Sequence, residues 1–432
     1  MTACRKERKN EILHNMPTGM NKTKRIQNLL LAVTWTAAIC SALVFTAVKI
    51  RNWGPVLDAP WQGDFIMYRD AARVLDWEPE QLYRTSQWPK VLDEPDVSMM
   101  PFPYMPAIGM ALIPFARMPV ETAQRIWFWL SVAAFLPVVV LVARRIPPGR
   151  ARVIGVGMMF LLPAFLDALY LGQITFVMAL LVVLAWYGMD AQRPWVRILA
   201  GVCLGIACGI KPIVVGLALV ALLRRRIGFL AGMVAALAAL TGVGLLKLPA
   251  SVTLDYIAVM RGYTEKMTPP EMTYLIFWNQ SIPAFWQKLF GAQYGALATG
   301  ISFGCVAAIL FAIVRRSLRS ARLSKRTDVI EVSAALLGVL LCAPVTWLHY
   351  ILATAPVFAG IARAWQSQTH FIGRMALPVG ICMAMLQRAA EPLVAATGIQ
   401  MFSSLMAISM SLWLGMLLAT APTHNLSPSS SH

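Results

Sequence analysis

Charge is the scarcest property of this chain. Charged residues make up 13% of it and hydrophobic residues 58%, whereas soluble domains carry about 25% charged residues. With a mean hydropathy of +0.63, that deficit excludes an ordinary soluble protein and leaves an integral membrane protein. Acids are rarer still, 20 against 38 Lys and Arg. The resulting net charge of +18 would point to nucleic acid if the bases formed a patch. They sit instead between apolar runs, where positive-inside topology accounts for them, so nucleic acid is not an expected partner. Paired cysteines are also lacking. Cys40, Cys203, Cys208, Cys305, Cys342 and Cys382 lie in apolar segments, where a thiol behaves as a small hydrophobe. Cys203 and Cys208 are five apart, neither a CxxC nor a metal-binding spacing. No disulfide framework, metal site or cofactor is expected, no internal repeat stands out, and no polar stretch is long enough for a soluble domain of standard size.

What is present is a series of apolar runs of about 15 to 23 residues separated by basic clusters, which reads as an all-α polytopic bundle and not a barrel. Residues 1–28 are polar and basic. Residues 29–50 follow as a retained signal anchor without a small-residue cleavage site, which places the N-terminus in the cytoplasm. Residues 51–121 then form a long outer loop, containing a helix from Asp64 to Leu75 and a short apolar stretch, 107–118, too short for a straight crossing. Further spans are expected at 122–143, 153–169, 174–188, 198–210, 213–223, 228–246, 298–314, 329–343, 351–362, 372–388 and 402–419. A second outer loop covers 247–297, the basic run Arg315 to Arg326 faces inside, and 421–432 is a disordered tail. The pattern implies one membrane domain, 29–420, of about 12 crossings, within a range of about 10 to 13.

A few polar groups need explaining in so apolar a chain. Asp64 lies in Gly63-Asp64-Phe65 of the first outer loop, where an acid is by default a solvated surface charge. Lys211 sits in Gly209-Ile210-Lys211-Pro212 between two apolar runs. A central lysine costs about 2.5–3.5 kcal/mol on insertion scales, so it either snorkels to the interface or serves as a cation for an anionic group. Gln173 at a turn, Asn279 before Gln280-Ser281, and His349 near an outer edge are each most simply structural. Tryptophans such as Trp77, Trp88 and Trp347 read as an interfacial belt or as sugar-stacking faces. Jointly the set says more: Asp64, Gln173, Lys211, Asn279 and His349 come from five chain segments, and the topology puts all five at one face.

With those residues in view the chain resembles glycosyltransferase family 87, a GT-C-fold group. The resemblance rests on Gly63-Asp64-Phe65, Tyr68, Ala71-Ala72, Leu82-Tyr83 and Phe102-Pro103-Tyr104-Met105-Pro106. It continues through Ile126-Trp127, Leu171-Gly172-Gln173, Gly201 and Gly205 before Lys211-Pro212, Asn279-Gln280-Ser281 and Ala343-Pro344-Val345-Thr346-Trp347-Leu348-His349-Tyr350, in family order. Departures include Met105, where the family often has proline, and Tyr350, where it often has a second histidine.

The resemblance implies transfer of a hexose or pentose, with mannose the leading sugar, from a polyprenyl-phosphate-sugar donor to a glycolipid or glycan acceptor. Transfer would take place at the outer face of a bacterial plasma membrane, among membrane lipids. Asp64 would be the general base of an inverting reaction. Lys211 and His349 would bind the donor phosphate, and Tyr68, Tyr104, Gln173, Asn279 and Tyr350 would orient substrate, with no metal. The rival class is a transporter or lipid-linked glycan flippase, which predicts inverted repeats and helices broken at the bilayer midplane.

Overall fold

The computed structural model describes residues 22–51, 63–94, 102–266, 279–290, 295–387, 394 and 403–421. Among these there is no β-strand. The helices are α1 (Lys22–Arg51), α2 (Asp64–Trp77), α3 (Trp88–Leu92), α4 (Pro106–Ala116), α5 (Val120–Arg145), α6 (Arg150–Leu161) and α7 (Pro163–Tyr170). They continue as α8 (Thr175–Met189), α9 (Pro194–Ile210), α10 (Gly216–Leu223), α11 (Ile227–Lys247), α12 (Ala250–Lys266) and α13 (Ile282–Phe290). The last are α14 (Gly295–Leu323), α15 (Val329–Cys342), α16 (Tyr350–Ala353), α17 (Pro356–Gln366), α18 (Phe371–Leu386) and α19 (Leu405–Ala419). Five stretches are long and apolar enough to cross a membrane: Thr23–Val44, Val120–Arg145, Arg150–Tyr170, Ile227–Lys247 and Gly295–Leu323. Shorter apolar helices fill the space between them. The chain is an all-α polytopic membrane protein.

The expected spans mostly fall on helices, and the differences have local causes. The 153–169 span breaks at Leu162 because Pro163 has no N–H to continue the ladder. The 351–362 span is split into α16 and α17 by Pro356 for the same reason. The 213–223 span opens with a single 3₁₀ turn, Pro212–Val214, before α10. The 298–314 span runs on to Leu323, so Arg315 to Arg322 belong to the last turns of α14 and not to a loop. The second outer loop contributes α12 and α13; residues 267–278, with Trp278, lie outside the described set, as do Trp53, Trp61 and the tail from 422. Trp88 is fully buried and donates its indole N–H to the Gln81 carbonyl at 3.1 Å, so it is a core residue of the first loop and not part of a belt.

Layering follows from which helices bury most of their surface. α15 and α17 are buried along most of their length and pack on each other, as predominantly apolar helices at a bundle centre do. α1, α5, α11 and α14 turn large apolar side chains outward, among them Leu29, Trp129, Leu246 and Phe303, a surface suited to lipid. Lipid tails are as apolar as leucine, so helix association there depends on close packing and polar contacts. The closest approach is between α9 and α11: a Cβ on Gly201 would fall 1.9 Å from the Phe229 carbonyl oxygen, and one on Gly232 would fall 2.1 Å from that of Ile198. Lys211 follows α9 directly, so this crossing sets its position.

One end of the bundle is clamped by ions. Arg224, after α10, forms a bidentate pair with Glu331 of α15, both buried. It also donates to the Ser324 carbonyl at 2.6 Å and the Ser320 hydroxyl at 2.8 Å. Breaking a buried pair by removing one partner strands the other's charge, at a cost of about 3–5 kcal/mol. Glu331→Ala should therefore lower the thermal unfolding midpoint in detergent sharply, and Arg224→Ala/Glu331→Ala should recover part of the loss. A midpoint unchanged by Glu331→Ala would refute the clamp.

Candidate functional site

Asp64 opens α2, in the first turn after a glycine. That glycine is a packing requirement. A Cβ on Gly63 would stand 2.9 Å from the Leu171 carbonyl oxygen, so only glycine lets this turn lie against the Leu171-Gly172-Gln173 turn. The contact is fastened twice: Phe65 N–H donates to the Leu171 carbonyl at 3.2 Å, and the Trp127 indole N–H donates to the Gly172 carbonyl at 2.7 Å. Gly172 itself has φ +63, the left-handed region glycine enters at little cost. Gln173 is thereby buried facing α2. Its Oε1 accepts from the Tyr68 hydroxyl at 3.2 Å, and the Tyr104 hydroxyl lies 3.0 Å from that of Tyr68. Asp64, Tyr68, Tyr104 and Gln173 therefore come together. Tyr68 is one helical turn from Asp64, on the same face.

Lys211 arrives from the opposite wall. α9 stops at Ile210, Lys211 is extended (φ −146, ψ 123), and Pro212 starts the 3₁₀ turn. Its side chain is 7% exposed. Its ammonium lies 4.2 Å from the Tyr350 ring centroid and 5.4 Å from that of Tyr104, cation–π contacts that partly replace lost water. The charge it opposes is Asp64. His349 packs edge-on to Tyr350 with ring centroids 4.9 Å apart and lies within electrostatic reach of Lys211. Its Nε2 is buried with no hydrogen-bond partner.

Asp64 lies outside the crossing helices, and burial pushes its carboxyl up to about 6, with Lys211 pulling the other way. An ordinary aspartate titrates near ~3.9. A carboxylate held this high accepts a proton more readily than an ordinary one and is still mostly ionised at neutral pH.

Asn279 has a different role from the others. Its Nδ2 donates to the Pro344 carbonyl at 2.9 Å, and its Oδ1 accepts from the backbone N–H of Thr346 at 2.9 Å and of Ser281 at 3.1 Å. The amide is thus committed to backbone and holds the loop that carries His349 and Tyr350. Two residues not singled out from sequence assist. Lys288 donates to the Asn279 carbonyl at 2.8 Å and to that of Ser403 at 3.3 Å; a lone charge in the apolar stretch Ile282–Phe290 was its available signal. Trp127, noted only as part of a motif, staples the Gln173 turn.

Asp70 faces Arg73 at 3.8 Å, and among the described residues no group of three or more His, Cys, Asp or Glu could hold a metal ion.

Beside this polar floor runs a cavity of about 360 Å³. Lys211 and Tyr350 stand at its polar end, and Met260, Leu310, Val339 and Pro344 form its walls. One cation beside an apolar trough matches an amphiphile with an anionic head.

Asn279→Ala should leave the Thr346 and Ser281 N–H groups without their acceptor and destabilise the protein by about 1–3 kcal/mol. Thermal unfolding in detergent measures this, and an unchanged midpoint would remove Asn279 from its loop-holding role.

No curated protein and no solved structure matches the chain. The model of one protein family does, over residues 102–344, more than half of the chain. Tyr104, Gln173, Lys211 and Asn279 fall within the matched stretch; Asp64 and Tyr68 precede it, and His349 and Tyr350 follow it. That family is glycosyltransferase family 87, and the chain belongs to it as a membrane glycosyltransferase.

Proposed function

We propose that the protein transfers a hexose or pentose, mannose first among them, from a polyprenyl-phosphate-sugar to a glycolipid or glycan acceptor at the outer face of a bacterial plasma membrane. The observation that carries the reading is the pairing across one site of a half-buried carboxylate, Asp64, with a buried ammonium, Lys211, from which an apolar cavity leads away. A base is needed where the acceptor hydroxyl loses its proton. A cation is needed where the leaving phosphate gathers charge, and an apolar trough beside it suits the polyprenyl chain.

The step balances without a second acid. The acceptor oxygen attacks the anomeric carbon from the face opposite the phosphate, its proton passes to the Asp64 carboxylate, and the new C–O bond forms with inversion. The bond from the anomeric carbon to the phosphate oxygen breaks, and its electron pair leaves with the polyprenyl phosphate. Phosphate is an adequate leaving group once its charge is compensated, so one carboxylate suffices, unlike the two of glycoside hydrolysis. Lys211 stabilises the departing charge, pre-positioned by the two tyrosine rings under it. The free Nε2 of His349 offers a hydrogen bond to the same phosphate or to the sugar. The Tyr104–Tyr68–Gln173 chain gives the sugar hydroxyls fixed partners next to Asp64.

Asp64→Asn should abolish transfer from a polyprenyl-phosphate sugar while thermal stability is retained; near-normal transfer in that variant would rule Asp64 out as base. The pH profile gives an independent check. A base whose carboxyl titrates near about 6 is active above that value and loses its acceptor form as pH falls through it. Rates should therefore decline below about pH 6, where an unperturbed aspartate would hold its rate down to about pH 4. An acid limb near 4 would contradict the buried-base assignment. Lys211→Met should raise KM for the donor and lower kcat together, and unaltered donor kinetics would reduce Lys211 to a packing residue. A screen of mannose, arabinose, glucose and aminosugar carriers with the protein in lipid identifies the sugar.

A further inference from the structure

Three guanidinium groups surround a cavity at the end of the bundle away from the catalytic site. Arg315, Arg316 and Arg319 project from the last turns of α14, and Leu418 to Ala421 at the end of α19 close the other side of a space of about 420 Å³. α15 separates this place from the catalytic site. It begins beside Asp328, which faces Arg316, and ends at Cys342, shortly before the His349 loop. Its 14 residues rise about 21 Å.

Carboxylates are scarcer here than around the neighbouring arginines. Arg224 is matched by Glu331, and Arg226 by Asp190. Arg316 is 6% exposed. Its Nη1 donates to the Thr420 carbonyl and approaches that of Leu418, which caps α19. Its Nε and Nη2 are buried without a hydrogen bond. Among the described residues, the one carboxylate in ion-pair reach is Asp328, 3.7 Å from Nη2, and its Oδ1 accepts the Ile330 N–H at 3.3 Å. Arg315 and Arg319 are exposed and four residues apart, so they share one helix face and repel. Two rim guanidiniums without an ion pair among the described residues, and a third whose buried Nε makes no hydrogen bond, make a site for an anion that accepts several hydrogen bonds at once, as phosphate does.

The walls show what carries that anion. Phe311 lies one turn before Arg315 and is 67% exposed. With Ala312 and Leu418 it makes the cavity apolar on the side continuous with the outward, lipid-facing surface of α14. A free phosphate would gain nothing from this side, whereas an acyl chain would lie along it. We propose that this cavity binds the phosphate headgroup of an anionic phospholipid, with Arg315 and Arg319 gripping the phosphate over Arg316. Basic pockets at helix ends are suited to this. The site is separate from the donor site and independent of which sugar is transferred.

The test uses the full-length protein in detergent, with native mass spectrometry to count bound lipid and thermal unfolding to confirm folding. Phosphatidylglycerol, phosphatidylcholine and inorganic phosphate are compared on the wild type and on Arg315→Gln/Arg319→Gln, with Arg319→Gln alone as a milder second variant. Phosphatidylglycerol should bind in preference to phosphatidylcholine, and the double variant should lose about 10- to 30-fold in that affinity, with the single variant between. Equal affinity for the two lipids, or phosphatidylglycerol affinity unchanged in the folded double variant, would overturn the site. Inorganic phosphate stabilising the wild type as well as phosphatidylglycerol does would overturn the lipid assignment.

Discussion

Burying a lysine in an apolar bundle costs several kcal/mol unless something compensates its charge, and the arrangement around Lys211 can be read as the response. The ammonium lies on the face of Tyr350 and near that of Tyr104, with Asp64 as the opposing charge. To bring those groups together the chain contributes the end of α9, the loop before α16, the stretch before α4 and the first turn of α2. The glycine-mediated crossing of α9 on α11 fixes where α9 ends, and the Gly63 contact with Leu171 fixes where α2 begins. A ring face compensates a cation only partly, and the Asp64 carboxylate supplies the rest of the opposing charge.

The two ends of the molecule handle positive charge by different means. At the end that holds Asp64, the Lys211 ammonium is held against aromatic rings in a largely apolar surround. At the other end arginines form a layer with carboxylates and backbone carbonyls: Arg224 with Glu331, Arg226 with Asp190, Arg316 with Thr420. The difference follows side-chain chemistry. A planar guanidinium with five donors suits a fixed network, whereas a compact ammonium suits a single opposing charge. Where the arginine network is incomplete, around Arg315, Arg316 and Arg319, the shortfall of acceptors marks the place for a bound anion.

The long helices were legible because an apolar run between basic clusters has few other solutions in a membrane. α5 and α11 stand close to their expected bounds, whereas α1 begins at Lys22, seven residues before the expected start of its span at 29. Boundaries failed where a local rule competed with hydropathy. Pro163 and Pro356 broke runs that were mostly apolar, and α14 carried Arg315 to Arg322 as helix because long basic side chains reach water without unwinding the backbone. Trp88 was misread as interfacial because an indole in a loop carries no mark of which way it packs.

The sequence by itself determined the membrane bundle, the family resemblance, and the residue types available for the chemistry, since composition and motif order depend on no contacts. Tertiary structure decided their roles. Gln173 and Asn279 are both amides beside short motifs, yet one completes a hydrogen-bonded row beside Asp64 and the other holds a loop by its backbone. The raised titration of Asp64 likewise arises from burial by the folded chain, and the charge that opposes the rise, Lys211, lies more than a hundred residues away in sequence. Burial and distance between segments remote in sequence are properties of the folded chain alone, because only folding brings one segment's charge within reach of another's.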